Sequence, residues 1–404
     1  MAMRPLKSLI SFHESKEILA EHTRPLDRTE EVDITQARGR VLALEVLSPI
    51  DVPAFDRAAM DGYAVRAEDT FGAGKLATRA IRCVDAIYAG TVPKRTIGAG
   101  ECAEIATGAP MPPGADGVVK VEETEREGDV VTVASAIHPG EHISRRGEDV
   151  TKGKVVLREG TVLTPSKIGA LAALGQRKAP VWARPRVRVV SSGDEIAEVG
   201  DPARPGQVYN INSYTLGAVI TEHGGEADLA PIVPDTREEL RAELARAQGY
   251  DLVIFSAGSS VGERDMLIDV LEEGGEIFFH GIAVKPGKPT LFARMRDGRL
   301  VLGMPGYPTS CLSNAYMLLV PMLRKMAHLP ALAEAAFELP LSKRIVSTTG
   351  RHQFYTVRLV DGTAVPAFKE SGAITSMSEA DGYIEIPANT DLVDKGERVQ
   401  VKLL

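Results

Sequence analysis

Three segments of this 404-residue chain combine small residues, hydroxyls and acids where an apolar run gives way to a helix-like stretch. The first, Ser191-Ser192-Gly193-Asp194-Glu195, follows Val187–Val190. The second, Ser256-Ala257-Gly258-Ser259-Ser260-Val261-Gly262-Glu263-Arg264-Asp265, follows Leu252–Phe255. The third, Pro305-Gly306-Tyr307-Pro308-Thr309-Ser310, follows Leu300–Leu302. Glycine lets the backbone approach a ligand closely, and successive N–H groups surround phosphate oxygens. One such loop alone reads more readily as a tight turn. Three at the carboxyl edge of one sheet favour a phosphate-bearing ligand, held around Ser192, Gly193, Ser256, Gly258, Ser259, Ser260, Gly262, Pro305, Gly306 and Pro308. Nearby, Lys285-Pro286-Gly287-Lys288-Pro289 presents two lysines on a stiff turn, a clamp for an oxyanion or else two solvated charges.

Five carboxylates, Asp61, Asp149, Glu195, Asp235 and Asp265, sit in or beside loops. Mg²⁺ takes oxygen ligands and binds through one or two carboxylates plus substrate phosphates. Glu195 and Asp265 leave neighbouring strand ends, so they would meet around one such ion. Asp235 reads equally well as the N-cap of the helix containing Leu240 and Leu244. Asp149, in Arg145-Arg146-Gly147-Glu148-Asp149, reads equally as a surface ion-pair partner. Thr107, in Ala106-Thr107-Gly108-Ala109-Pro110-Met111-Pro112, offers one hydroxyl on a turn.

The elements that must position these residues change in character along the chain. Ser11 and Glu14 have capping-box spacing at the start of a helix. Short β-type segments with Gly and Pro punctuation fill the region from about Pro49 to Glu148, and a helix is expected from Pro165 to Leu174. From Pro185, strand-like and helix-like stretches alternate. They include a helix from Ser213 to about Glu222, a strand through Leu229–Val233 and a last helix from Thr309 to about Ala327. That alternation implies a parallel α/β sheet. The expected division is a linking region of 1–47 with 148–184, a β-rich domain over 48–147, an α/β domain over 185–329 and a C-terminal β domain over 330–404.

Composition narrows the function classes. A net charge of −8 with interspersed signs disfavours nucleic-acid and membrane-surface partners but not an anionic small molecule. Three widely spaced cysteines suit neither a disulfide framework nor a zinc site. The absence of a signal-like start or a long apolar run makes the cytoplasm the expected location.

Together the segments resemble the MoeA family, which includes the gephyrin E domain and the plant molybdenum insertases. The resemblance is carried in order by FDRAAMDGYAV around Asp61, ATGAPMPPGAD around Thr107, RRGED at Asp149 and SSGDE at Glu195. It continues through GQVYNINS from Gly206, VPD at Asp235, SAGSSVGERD to Asp265, VKPGKPT from Val284 and MPGYPTS from Met304. Two segments depart from the common bacterial pattern: SAGSSVG in place of SGGVSVG, and PGYP, similar to archaeal variants, in place of PGNP. The resemblance implies a multidomain fold: a MogA-like α/β molybdopterin-binding domain, a β-rich lid, a small linking domain and a C-terminal β-barrel-like domain. It implies a homodimer with a shared active site that inserts molybdate or tungstate into adenylylated molybdopterin, with Mg²⁺-dependent release of AMP. On the same basis Asp61, Thr107, Asp149, Glu195, Asp235 and Asp265 are expected at the reaction centre, with Mg²⁺ on Glu195 and Asp265. Lys285, Lys288, Arg351 and Ser371 are expected to recognise the oxyanion. The upstream adenylyltransferase is an expected partner. Two rivals are a molybdopterin adenylyltransferase-like enzyme, which would need only the α/β domain, and a non-catalytic gephyrin-like scaffold, against which the intact acid set argues.

Overall fold

A computed structural model describes residues 9–257, 261–332, 336–369 and 372–404, with side chains throughout except at 257 and 261–265. Two compact units emerge: Glu31–Arg38 with Leu42–Pro180, and Met1–Glu30, Gly39–Val41 and Val181–Leu404.

In the first unit, β1 (Gly62–Val65), β2 (Arg79–Ile87), β3 (Glu101–Ile105), β4 (Gly117–Lys120), β5 (Thr124–Glu127) and β6 (Val130–Val133) form one six-stranded sheet, ordered β4-β1-β3-β2-β6-β5. Alternation along the strands gives the sheet two apolar faces. Tyr63, Val65, Cys102, Val119 and Val131 pack on one, while Ala64, Ala103, Ile105 and Val118 pack on the other. The helix Pro165–Ala173 ends one residue before the expected Leu174.

The second unit contains the α/β sheet. Its strands are β7 (Arg186–Ser192), β8 (Glu226–Leu229), β9 (Leu252–Ala257), β10 (Gly275–His280), β11 (Leu291–Met295) and β12 (Leu300–Met304), in the order β8-β7-β9-β12-β11-β10. The first four are parallel, as the apolar runs Leu252–Phe255 and Leu300–Leu302 imply for β9 and β12, while Arg188 of β7 is paired with Asp228 of β8 and with Glu243. Strands β11 and β10 add an antiparallel edge that the sequence reading missed. Edge strand β10 is only partly buried, and its short apolar stretch Ile277–Phe279 sits between Glu276 and His280. The expected strand at Leu229–Val233 is also displaced, because β8 ends at Leu229 and Val233 instead makes an isolated bridge to Ser192.

Period-two alternation again decides the layers. Val187, Val189, Leu252, Ile254, Leu300 and Leu302 face the side covered by α1 (Ile211–Glu222), through Leu216, Val219 and Ile220. Val190, Val253, Phe255 and Val301 face Leu240 and Leu244 of α2 (Arg237–Arg246) and Leu267, Val270 and Leu271 of α3 (Val261–Gly274). Helices therefore cover both faces, the solution that a sheet with apolar residues on both sides requires. The helix Phe12–His22 packs on the α1 side through Phe12 and Leu19, and Ser11 and Glu14 form the expected capping box.

C-terminal strands complete the unit. Val284–Lys285 pairs in parallel with His352–Val360, which continues through Gly382–Ile386 and Arg398–Leu403 to Ala336–Pro340. The lysine-bearing turn is thus fastened to the strand that Arg351 immediately precedes.

Candidate functional site

Register brings two of the small-residue loops together. Ser191 pairs with Ser256 and Ser192 with Ala257, while Ser256 pairs with Met304, so the carboxyl ends of β7, β9 and β12 are level. Ser192 is buried, and Gly193 has a φ of +143°. A Cβ on Gly193 would lie 2.6 Å from Oε2 of Glu195, so the Glu195 carboxylate folds back over this glycine, whose positive φ disfavours any other residue there. Val233 donates its N–H to the Ser191 carbonyl (3.0 Å), which brings the chain leading to Asp235 alongside the same strand end.

Asp235 is not the cap of α2. Thr236 is, accepting from the Glu239 N–H at 3.2 Å. The cap falls one residue later because the Val233 bridge keeps the preceding backbone extended along β7. Asp235 is partly buried, and its Oδ2 is fully enclosed without a hydrogen-bond partner among the described residues. An orphaned carboxylate oxygen in such a place is costly unless a ligand satisfies it.

Two buried asparagines, which the sequence reading did not single out, organise the floor. Asn212 donates from Nδ2 to Ser256 Oγ (2.7 Å) and to the Gly306 carbonyl (2.8 Å), joining the second loop to the third. Asn210 caps α1 and accepts from the Ser191 hydroxyl at 2.9 Å. The signal was two amides two residues apart at a helix start, in Val208-Tyr209-Asn210-Ile211-Asn212-Ser213. Glu195, Tyr209, Asn212, Ser256, Gly306 and Tyr307 are among the residues lining a cavity of about 350 Å³.

A second cavity, of about 550 Å³, shares Gly306 and Tyr307 with the first. Lys285, Lys288, Arg351 and Lys369 all line it, and no carboxylate is among its described lining residues. Pro305 contributes to this cavity and Pro308 to the first. Lys285 donates to Thr348 Oγ1 (2.7 Å), and Lys369 reaches Thr375 Oγ1 (2.8 Å) and Glu379 (3.4 Å). Among the described residues Lys288 and Arg351 form no ion pair. Lys369 is paired with Glu379, but Lys285, Lys288 and Arg351 meet no carboxylate among the described residues, so three cations converge on a local anion site in a protein whose net charge is negative. Gly287 shapes the turn: its φ is +104°, and an added Cβ would lie 2.5 Å from the side-chain amide of Asn314.

The first unit brings together a different pair. Asp61 Oδ1 accepts from the Thr107 N–H at 2.6 Å and from its hydroxyl at 2.7 Å. The backbone bond first, and the hydroxyl second, hold the Asp61 carboxyl below the usual aspartate range. Asp149 is exposed, and its backbone N–H reaches the Val52 carbonyl (3.1 Å). The surface ion-pair alternative for Asp149 is not realised among the described residues: Arg145 pairs with Asp56 (2.9 Å) and Arg146 with Asp51 (2.6 Å). Those pairs tie the 145–149 loop to the segment that leads to Asp61.

Gly258, Ser259, Ser260 and Ser371 lie outside the described residues, as does the Asp265 side chain; the Asp265 backbone and Gly262 belong to α3. The three cysteines are free and buried, and burial pushes the Cys102 and Cys311 thiols up to about 12, far from a reactive thiolate. Among the described residues no helix is long and apolar enough to cross a membrane.

Comparison with known proteins agrees with this architecture. Residues 10–175 match the MoeA N-terminal region (domain I and II), 188–325 a probable molybdopterin binding domain, and 338–404 the MoeA C-terminal region (domain IV). The chain is 35% identical to molybdopterin molybdenumtransferase 2 of Mycobacterium tuberculosis, over 97% of this chain and 98% of that protein. It is 32% identical to the molybdopterin molybdenumtransferase of Nostoc, over 99% and 95% of the two chains. The crystal structure of a molybdopterin biosynthesis MoeA protein from Pyrococcus horikoshii superimposes with a TM-score of 0.83 at 38% identity, covering 98% of this chain and 99% of that one. With matched regions running in order along almost its full length, the chain belongs to the MoeA family.

Proposed function

We propose that the chain acts as a molybdopterin molybdenumtransferase that takes adenylylated molybdopterin and an oxyanion, molybdate or tungstate, and releases AMP. Its place in molybdenum cofactor biosynthesis and its character as a transferase follow from the family. The finer chemistry rests on one observation: a pocket lined by Lys285, Lys288, Arg351 and Lys369, the first three without a carboxylate partner among the described residues, shares a wall with a cavity lined by Glu195, Ser256 and Gly306. The first is suited to a tetrahedral oxyanion, the second to phosphate.

Residues Ser192, Gly193, Ser256 and Gly306, with Gly258, Ser259, Ser260 and Gly262 of the second loop, would hold the phosphates. Asn212 keeps two of these loops in register. Glu195 and the orphaned Asp235 Oδ2 are oxygen donors of the kind Mg²⁺ takes, and Asp265 is the proposed second ligand with Glu195. Bound there, the ion would neutralise charge on the phosphate oxygens. Asp61, fixed by Thr107, and Asp149 would orient the water whose oxygen attacks phosphorus. The phosphoanhydride bond then breaks to give AMP and the pterin phosphate, the water oxygen staying on the attacked phosphorus and both its hydrogens leaving as protons once the two phosphates are fully ionised.

The loops of Asp61 and Asp149 belong to the first compact unit, and the phosphate and cation loops to the second. We further propose a homodimer in which one subunit's first unit completes the other's site, a cytoplasmic location, and an upstream adenylyltransferase as partner. The expected division is retained as a proposal: 1–47 with 148–184, 48–147, 185–329 and 330–404. Supplying adenylylated molybdopterin with molybdate or tungstate and measuring AMP release and metal incorporation tests the reading. Neither product forming with either anion would overturn it.

A further inference from the structure

Tyr307 occupies an unusual position. It lines both the cation pocket and the cavity above Ser256, and its side chain is 52% exposed. Among the described residues its hydroxyl has no hydrogen-bond partner. The backbone beneath it is firmly held: Gly306 accepts from Asn212, the Tyr307 carbonyl accepts from the Cys311 N–H at 2.9 Å, and Pro308 opens the next helix. A large ring with a fixed root and an open face is not serving a core. A second exposed ring, Tyr209, lines the same 350 Å³ cavity. The remaining lining is divided, with Glu195, Asn212 and Ser256 as polar groups and the tyrosines and Ile196 as apolar surface.

The geometry points to Tyr307 as the platform on which a planar heterocycle of the substrate stacks while the attached phosphate reaches Ser256 and Gly306. This rests on the function proposed above and names a specificity residue within it. The cavity falls in the range of small-molecule sites, whose few polar groups fix orientation while apolar walls supply contact. A tyrosine stacks at small entropic cost because only two torsions must be held. Its place in both walls also makes it the partition between the heterocycle and the oxyanion.

Isothermal titration of the full-length protein with AMP, neopterin monophosphate and ribose 5-phosphate tests the assignment. Tyr307→Ala should weaken AMP or neopterin monophosphate by about tenfold, a typical loss for one stacked base, and leave ribose 5-phosphate unchanged. Tyr307→Phe should bind as the unaltered protein does, and Tyr307→Leu should behave as the alanine variant. Loss confined to AMP assigns the adenine ring; loss confined to neopterin monophosphate assigns the pterin. The proposal is overturned if the alanine or leucine variant keeps full affinity for both ringed ligands, if ribose 5-phosphate falls equally, or if phenylalanine fails. Failure here with intact molybdenum transfer rejects the platform alone, whereas absent transfer in the unaltered protein rejects the underlying reading.

Discussion

Two residues that a sequence makes look interchangeable, Asp235 and Thr236, have separate duties here. Thr236 caps α2, whereas Asp235 has a buried oxygen with no partner among the described residues, beside the strand end of β7. Thr236→Ala should therefore cost about 1 kcal/mol, lowering Tm by about 2–4 °C with kcat little changed. Asp235→Asn should hold Tm and lower kcat. Paired melting curves and single-turnover AMP release separate the two; because asparagine caps about as well as aspartate, unchanged Tm with unchanged kcat in Asp235→Asn would remove Asp235 from the reaction. At Asp61 the sign of the pH effect is fixed by its lowered pKa. The contribution of the Asp61–Thr107 contact is present above the usual aspartate value of about 3.9 and disappears as pH falls through the lower folded value. Thr107→Ala removes the hydroxyl and keeps the N–H, so a carbon-13 titration should show the Asp61 midpoint rise part of the way to normal. No rise would show that the hydroxyl contributes nothing.

At the scale of elements, the decisive piece is the turn from Lys285 to Lys288. Val284–Lys285 is stitched to the strand after Arg351, and Asn314 donates to the Gly287 carbonyl (3.0 Å) and to Thr290 Oγ1 (2.6 Å). Two lysines and one arginine are thereby held by three separate pieces of chain. Gly287→Ala would meet both an unfavourable φ and the Asn314 amide, a combined cost of about 2–5 kcal/mol. We expect a lower Tm together with weaker molybdate binding by calorimetry. Lys288→Ala, by contrast, should weaken molybdate at unchanged Tm, because its ammonium has no protein partner among the described residues. Unchanged molybdate affinity in both variants would remove this pocket from the reaction.

The whole-molecule question is where a complete site is assembled. The Asp61 and Glu195 loops lie in different compact units, so the proposed homodimer has a direct test. Light scattering should give about twice the 43.3 kDa chain mass. Mixing Asp61→Ala with Glu195→Gln subunits and allowing exchange should restore activity. In a two-fold dimer half the molecules become mixed, each with one intact site, so recovery should approach about a quarter of the unaltered rate. Recovery near zero in demonstrably mixed dimers would mean that each subunit builds its site alone.

The sequence by itself determined the local chemistry. Apolar runs such as Leu252–Phe255 announced parallel strands, and glycine with serine after them marked the loops proposed to bind ligand. Ser11 with Glu14 announced a cap, because each of these signals depends on neighbours a few residues apart. The ordered motifs also carried the family, although motif order says nothing of where a side chain ends up. Tertiary structure alone decided what register and long-range contacts control. Strand register aligned Ser191 with Ser256 and Met304, and the Val233 bridge moved the α2 cap from Asp235 to Thr236. Pairing of Val284–Lys285 with the strand from His352 drew Arg351 toward the lysines, and the fold added Lys369, Asn210 and Asn212 to the two cavities. Those contacts join residues from 19 to 94 positions apart, a distance over which periodicity and propensity hold no information.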